Sequence, residues 1–304
     1  MPASDSPITA DLPPLLQHPT VAALLQQCLA EDASPSGTWA PAHGSPAEND
    51  VTSAATVPAE AQLRATLIAK EDGLLAGLPL ARALCQMVDP SLTVEANRSD
   101  GDRVAAGDTI ATIDGPGRSL LTAERPALNL LGHLSGIASL TRRYVEAVAH
   151  TSAAILDTRK TLPGLRRPNK YAVRQGGGTN HRLGLFDMVL IKENHIDAAG
   201  GVAAALQQAR ETHGDQYPVE IEVTTLDELD AALPLTPDIV LLDNMDLPTL
   251  REAVARTPDA VALEASGGIT LETVAAVAET GVDRISVGAL THSAPALDLS
   301  LRTD

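Results

Sequence analysis

An α/β fold, built as an incomplete TIM-like α/β barrel, is predicted by two features in the second half of this 304-residue chain. Six short aliphatic or β-branched runs, at 153–158, 187–192, 219–224, 238–243, 260–265 and 283–288, read as strands. Helical stretches at 198–212, 226–233, 247–257 and 270–280 separate most of them. Short apolar strands alternating with helices mean βαβ units and a parallel sheet buried on both faces. No G-x-G-x-x-G follows the first strand, which argues against an open dinucleotide-binding sheet.

The first half has a different texture. An amphipathic helix is expected over PTVAALLQQCLAED, followed by a Pro/Ser/Gly/Ala-rich loop through ASPSGTWAPAHGSPAEN. A strand, a turn and a helix follow in AQLRATLIAKEDGLLAGLPLARALCQMV. The segment LTVEANRSDGDRVAAGDTIATIDGPGRSLL reads as short strands separated by tight turns. Thr122 is expected to cap a long helix through ERPALNLLGHLSGIASLTRRYVEAVAH, with Pro126 in its first turn, where a missing N–H is tolerated.

Composition narrows the function. Aromatics are 2% of the chain, with one Phe and one Trp, so stacking platforms for nucleic acid are scarce. The net charge of −17 disfavours nucleic acid and anionic membrane as partners. Cys28 and Cys85 match no metal or redox spacing, which points to a reducing compartment. The start MPASDSPITADLPP has no basic stretch leading into an apolar run, so no signal peptide is expected, and no run approaches a membrane span. A soluble cytoplasmic protein is the expectation.

Against that acidic background, residues 157–195 hold eight of the 22 basic residues and only three acids. Three of the four lysines, Lys160, Lys170 and Lys192, lie there. An acidic protein that concentrates cations in one stretch is building a pocket for a multiply charged anion. Several of these cations follow strands directly: Asp157-Thr158-Arg159-Lys160 after the first, Lys192-Glu193-Asn194-His195 after the second. Glu222 closes the third, Asp243-Asn244 the fourth, Glu264-Ala265-Ser266-Gly267-Gly268 the fifth and Gly288 the sixth. In parallel α/β folds active sites form at the carboxyl edge of the strands, so these groups converge on one mouth. Solvated loop charge is the competing reading of any one of them.

Ser266-Gly267-Gly268, leading into a helix expected near Thr270, offers backbone N–H groups as a phosphate seat, with Gly288-Ala289 as a second wall. A plain turn has the same letters. Gly176-Gly177-Gly178 permits close ligand approach or a hinge ahead of His181-Arg182. Arg159 and Arg182 suit carboxylates through two-pronged forks, whereas Lys160 and Lys192 act as point charges on phosphate. Glu222 and Asp243 are candidate Mg²⁺ ligands, an ion usually held by one or two carboxylates plus substrate phosphates. Their competing role is to hold the lysines in place. Of the remaining cations, Arg166, Arg167, Lys170 and Arg174 line a rim or serve structure.

Taken in order, these residues resemble the quinolinate phosphoribosyltransferase (nicotinate-nucleotide pyrophosphorylase) family. The likeness rests on KEDGLLAG, ERPALNLLGHLSGIAS, ILDTRKTLPGLRRPNKYAVRQGGGTNHRLGLFDMVLIKENHI, IEVTTLDEL, DIVLLDNM, EASGGI and DRISVGALTHS, and it covers about residues 50–295. The resemblance implies an N-terminal mixed α/β sandwich over 1–124, an incomplete barrel over 125–290 and a tail, 291–304, packing on the N-terminal domain. It implies transfer of phosphoribose from phosphoribosyl pyrophosphate to quinolinate, releasing pyrophosphate and carbon dioxide to give nicotinate mononucleotide in de novo NAD biosynthesis.

By matching position, Arg159, His181, Arg182 and Lys192 would face the two quinolinate carboxylates, and Lys160 and Lys192 the pyrophosphate. Glu222 and Asp243 would meet the ribose hydroxyls and Mg²⁺, and with Lys160 form the catalytic set. Ser266, Gly267, Gly268 and Gly288 would hold the 5′-phosphate, with Thr158, Val287 and Ala289 completing the substrate-binding set. Arg125 would reach the neighbouring subunit's site, making a homodimer necessary for activity. One departure from the family is the stretch Ala33–Asn49, where relatives have a short turn; a surface loop with no effect on the site is expected.

Three other readings have weaker support. DGDRVAAGDTIATI is similar to the hairpins of biotinyl and lipoyl carriers, but no Lys lies between Lys70 and Lys160 to be modified. A related transferase for nicotinate or another heterocycle, and a sugar-phosphate aldolase using a Schiff-base lysine, remain as alternatives.

Overall fold

A computed structural model describes residues 10–34, 37 and 46–303. The chain forms two compact units. The first comprises Met1–Leu140, Leu162–Gly176 and Ser293–Asp304, and the second Thr141–Thr161 and Gly177–His292.

The core of the first unit is a four-stranded antiparallel sheet in the order Leu299–Thr303, Gln62–Ala69, Thr109–Pro116, Thr93–Ala96. The final strand is remote in sequence yet pairs along five residues, from Ala65 with Thr303 to Ala69 with Leu299. Helix Leu78–Val88 buries Leu80, Ala81, Leu84, Cys85 and Val88. Asp100 caps it from outside, accepting from the N–H groups of Gly77 and Leu78 at 2.8 and 3.0 Å, and from the Tyr171 hydroxyl at 2.7 Å. The Tyr171 bond ties in helix Arg166–Gln175, which the sequence reading did not separate from the basic stretch. Two of its cations serve structure: Lys170 is 1% exposed, and Arg167 donates to the Leu15 carbonyl at 3.4 Å. The Ala33–Asn49 loop lies mostly outside the described residues; at its ends, the Asn49 amide donates to the Ala33 carbonyl at 2.8 Å.

The long helix begins earlier than expected. It runs Gly117–Ala147, so Thr122 is interior rather than a cap, and its hydroxyl donates back to the Arg118 carbonyl at 2.9 Å. Pro126 therefore sits inside the helix. Lacking an N–H, it leaves the Thr122 carbonyl without its usual helical donor, at a cost the sequence reading had placed harmlessly in the first turn. Strand Thr109–Pro116 ends directly at Gly117, so the helix starts where the strand stops.

In the second unit six parallel strands run in the order Ala154–Leu156, Arg284–Ser286, Ala262–Ser266, Ile239–Asp243, Val219–Val223, Val189–Ile191. In chain order this is one, six, five, four, three, two. A closed barrel would pair the first with the second, so the barrel is incomplete there. Part of the free edge is used: the Thr179 N–H donates to the Ile155 carbonyl at 2.8 Å and the Asp157 N–H to the Thr179 carbonyl at 3.2 Å. Strand two runs straight into helix Glu193–Ala199, and a second helix, Val202–His213, follows a Gly200-Gly201 break where φ is +88° and +129°. The helix expected near Thr270 begins only at Val274 and has five residues. The Thr270 N–H donates to the Thr273 hydroxyl at 2.9 Å, and the Thr270 carbonyl accepts from the Val274 N–H at 2.9 Å.

Close approach to the long helix depends on glycine. A Cβ at Gly136 would lie 1.9 Å from the Pro295 carbonyl oxygen, and the Leu297 N–H donates to the Gly132 carbonyl at 2.9 Å. Gly136→Ala is expected to destabilise the protein by about 1–3 kcal/mol by forcing the tail off the helix, read as a lower urea unfolding midpoint at unchanged slope.

Candidate active site

The site is set by strand phase. Side chains two residues apart share a face, and the registers align Glu222 with Leu241, Leu241 with Glu264, and Glu264 with Arg284. One step toward the carboxyl ends, Asp243 aligns with Ser266. These side chains alternate with buried outward residues such as Ile221, Val223, Leu242 and Ala265. The mouth they line is a cavity of about 590 Å³.

Eleven of the expected site residues line this cavity: Thr158, Arg159, Lys160, His181, Arg182, Lys192, Glu222, Asp243, Ser266, Gly267 and Gly268. Val287, Gly288 and Ala289 do not line it directly. Gly288 is close by, because a Cβ there would meet Lys160 Cδ at 3.1 Å and His292 Nε2 at 3.2 Å. The Thr291 hydroxyl donates to the Lys160 carbonyl at 2.8 Å, which ties that turn to the first strand end. Arg125 lies in the first unit, exposed on the long helix. Of the three consecutive glycines, Gly176 ends helix Arg166–Gln175 and Gly177 turns with φ +89°; none lines the cavity.

The cationic wall is held by a buried acid. Asp157, 0% exposed, accepts from the Asn180 amide at 2.7 Å and from the His181 N–H at 2.9 Å. Arg182 follows, its guanidinium donating to the Met188 carbonyl at 3.4 Å. Burial, then the neighbouring Arg159, lowers its pKa, so these two arginines are held together against their own repulsion. Such a pair is preset for an anion with more than one negative centre. Lys192 Nζ contacts Glu222 Oε2 closely.

The Ser266–Gly268 turn takes its shape from glycine and asparagine. Gly267 has φ +100° and Gly268 +59°, while Asn244, unusually for a residue with a Cβ, has +55°. Its N–H donates to the Ser266 carbonyl at 2.9 Å and its side chain to Asp243 Oδ2 at 2.7 Å. A Cβ at Gly267 would fall 2.1 Å from Asn244 Oδ1. Asn244 thus orients Asp243 and packs against the glycine turn. It was visible only as the letter after a strand-end acid.

The residues missed by sequence reasoning lie deepest. Glu220 and Glu264 are fully buried at 0% exposure. His181 Nε2 stands 3.1 Å from Glu220 Oε2 and 3.3 Å from Glu264 Oε1, and Nδ1 accepts the Arg182 N–H at 2.7 Å. Burial alone would lower the His181 pKa, but the two carboxylates outweigh it and push it up to about 9. Burial also pushes Glu220 up. The carboxylates thus favour a second proton on the ring, but the Arg182 N–H opposes it, because a proton on Nδ1 would set two N–H groups against each other. On this geometry the ring carries its proton on Nε2, facing the two carboxylates. Glu264 was noted only as part of a strand-end run, and Glu220 looked like one more letter of a strand.

If Asp157 organises the wall, Asp157→Ala should loosen it locally, at a cost of about 1–3 kcal/mol for the donors left without an acceptor. Faster hydrogen exchange at the His181 amide, with little change in the Gly136 region, is the expected reading.

Comparison with known proteins agrees with this architecture. Residues 50–135 match the family model for the quinolinate phosphoribosyl transferase N-terminal domain, and residues 137–302 that for the C-terminal domain. The chain is 44% identical over 307 aligned residues to quinolinate phosphoribosyltransferase [decarboxylating] 1b of Nicotiana tabacum, covering 94% of this chain and 84% of that one. It is 46% identical over 260 residues to the nicotinate-nucleotide pyrophosphorylase [carboxylating] of Mycobacterium leprae, covering 83% and 90%. The solved nicotinate-nucleotide pyrophosphorylase from Francisella tularensis superposes with a TM-score of 0.84 at 40% identity, covering 94% of this chain and 96% of that one. With both domain models matched and the strand-end cavity in place, the chain belongs to the quinolinate phosphoribosyltransferase family.

Proposed function

We propose that the protein transfers phosphoribose from phosphoribosyl pyrophosphate to quinolinate and decarboxylates the product to nicotinate mononucleotide, a step of NAD biosynthesis. The observation that carries this reading is one cavity lined by Arg159, Lys160, Arg182, the close Lys192–Glu222 pair and Asp243 beside a glycine turn. A dicarboxylate, a pyrophosphate and a ribose phosphate need those three kinds of surface together. The volume of about 590 Å³ suits two small molecules side by side.

In this mechanism the paired Arg159 and Arg182 guanidinium groups clamp the quinolinate carboxylates, orienting the ring nitrogen toward ribose C1. Bond breaking at C1 leaves positive charge on the sugar, which Glu222 and Asp243 stabilise, while Lys160 and Lys192 stabilise the departing pyrophosphate. The nitrogen lone pair forms the new bond as the C1–O bond breaks. The ring nitrogen is then cationic and stabilises the carbanion left when the adjacent carboxylate departs as carbon dioxide; a proton from solvent completes the new C–H bond, so no side-chain nucleophile is required. Ser266, Gly267, Gly268 and Gly288 seat the 5′-phosphate through their backbone.

The donor set fits Mg²⁺: Glu222 and Asp243 offer hard oxygens at the cavity mouth, and substrate phosphates would complete the shell. When bound, the ion neutralises charge on the leaving group. We further infer a cytoplasmic homodimer, with Arg125 of each subunit completing the partner's site. Among the described residues no helix is long and apolar enough to cross a membrane.

With quinolinate, phosphoribosyl pyrophosphate and Mg²⁺, nicotinate mononucleotide and carbon dioxide are expected in equal amounts, and EDTA should stop the reaction reversibly. Turnover of nicotinate but not quinolinate would overturn the assignment. Arg125→Ala and Lys160→Ala homodimers should each be nearly inactive, whereas mixing them restores one competent site per heterodimer. Absence of recovery in verified heterodimers would exclude a shared site.

A further inference from the structure

Glu220 and Glu264 take no part in the mechanism above, yet both are fully buried and none of their four carboxylate oxygens has an aligned hydrogen-bond partner. Carboxylates are rarely kept in that condition unless a neighbouring group uses them. The group that uses them is His181, whose Nε2 is 3.1 Å from one carboxylate and 3.3 Å from the other. A single N–H shared between two oxygens is aligned with neither, which accounts for close contact without a linear bond. Arg284 Nε stands 3.9 Å from the remaining oxygen of Glu264.

The opposite ring nitrogen is committed as well, because Nδ1 accepts the Arg182 N–H at 2.7 Å. Only the tautomer carrying its proton on Nε2 serves both contacts. The other neutral tautomer would aim a lone pair at two carboxylates and an N–H at an N–H. We propose that Glu220 and Glu264 are positioning residues for the substrate-carboxylate wall: by holding the His181 Nε2–H they leave Nδ1 to seat the Arg182 main chain. His181 then acts through Arg182 and is not itself a hydrogen-bond donor to the ligand. The inference rests on the reading that Arg159 and Arg182 receive the quinolinate carboxylates.

This arrangement differs from two alternatives with the same residues. A His ring that donates to substrate needs a free N–H on the cavity side, and both nitrogens here are used within the protein. A metal held by His181, Glu220 and Glu264, whose donor atoms lie within 4.8 Å of one another, would need Nε2 without its proton.

The test begins with ligand-free, full-length protein labelled with ¹⁵N-histidine, the His181 signals being assigned by their loss in His181→Asn. A neutral ring protonated on Nε2 alone is expected at neutral pH. A proton on Nδ1, or a His181 signal that Zn²⁺ or Mg²⁺ alone converts to the metal-bound form, would overturn the proposal. In Glu220→Gln and Glu264→Gln the KM for quinolinate should rise by about tenfold or more, within the usual range for residues that orient a binding group from behind. The KM for phosphoribosyl pyrophosphate should change less than twofold. Equal changes in both KM values, or none, would also overturn it. If the variants do not fold, the tautomer of the unsubstituted protein decides. Failure of the unsubstituted protein to turn over quinolinate would remove the carboxylate assignment and leave the tautomer result standing.

Discussion

Everything at this site depends on the phase of six short parallel strands. Because side chains alternate, a one-residue slip in the fourth strand would send Leu241 and Asp243 outward and Leu242 into the cavity. The outward residues prevent it: Ile221, Val223, Leu242 and Ala265 are buried, so a slip would place acids in an apolar layer. The apolar shell around the barrel thereby fixes the chemistry inside it. Stability and function are set by the same alternation, read from opposite faces.

Within that frame the charges are layered. The cations of the first two strand ends form the wall, Glu222 and Asp243 stand at the mouth, and Glu220 and Glu264 lie beneath. A pocket built only of arginines and lysines would repel itself when empty. Acids under and around it make the empty state tolerable without filling the space an anionic ligand needs. The loop from Thr179 to Arg182 is the connector: its backbone pairs with the first strand, its Asn180 and His181 amides meet Asp157, and its imidazole reaches the glutamates.

The barrel strands and the cationic wall could be read from sequence because apolar runs and strand-end charges are local patterns. The helix Gly117–Ala147 shows the limit: Thr122 looks like a cap and Pro126 like a first-turn residue, yet the helix starts at Gly117, where the preceding strand ends. Helix Arg166–Gln175 was hidden for a similar reason: its basic residues fit a rim or a structural role equally until burial of Lys170 and the Tyr171–Asp100 bond are seen. The helix start at Val274 follows a turn in which the Thr273 hydroxyl takes the Thr270 N–H. Glu220 and Glu264 were illegible as a pair because their meeting point is a histidine some 40 to 80 residues earlier in the chain, brought there by barrel topology alone.

The first unit's sheet has a consequence for how the chain is made. One of its edge strands, Leu299–Thr303, pairs with Gln62–Ala69, and the tail before it rests on the long helix through the Leu297–Gly132 bond. About 230 residues separate these two partners, so this edge pairing waits until the segments of the second unit have been made. During synthesis, strand Gln62–Ala69 has an unpaired side, and unpaired strand edges invite association with other chains. Leu299–Thr303 thus acts as a latch, and a chain lacking it would leave strand Gln62–Ala69 open along that side.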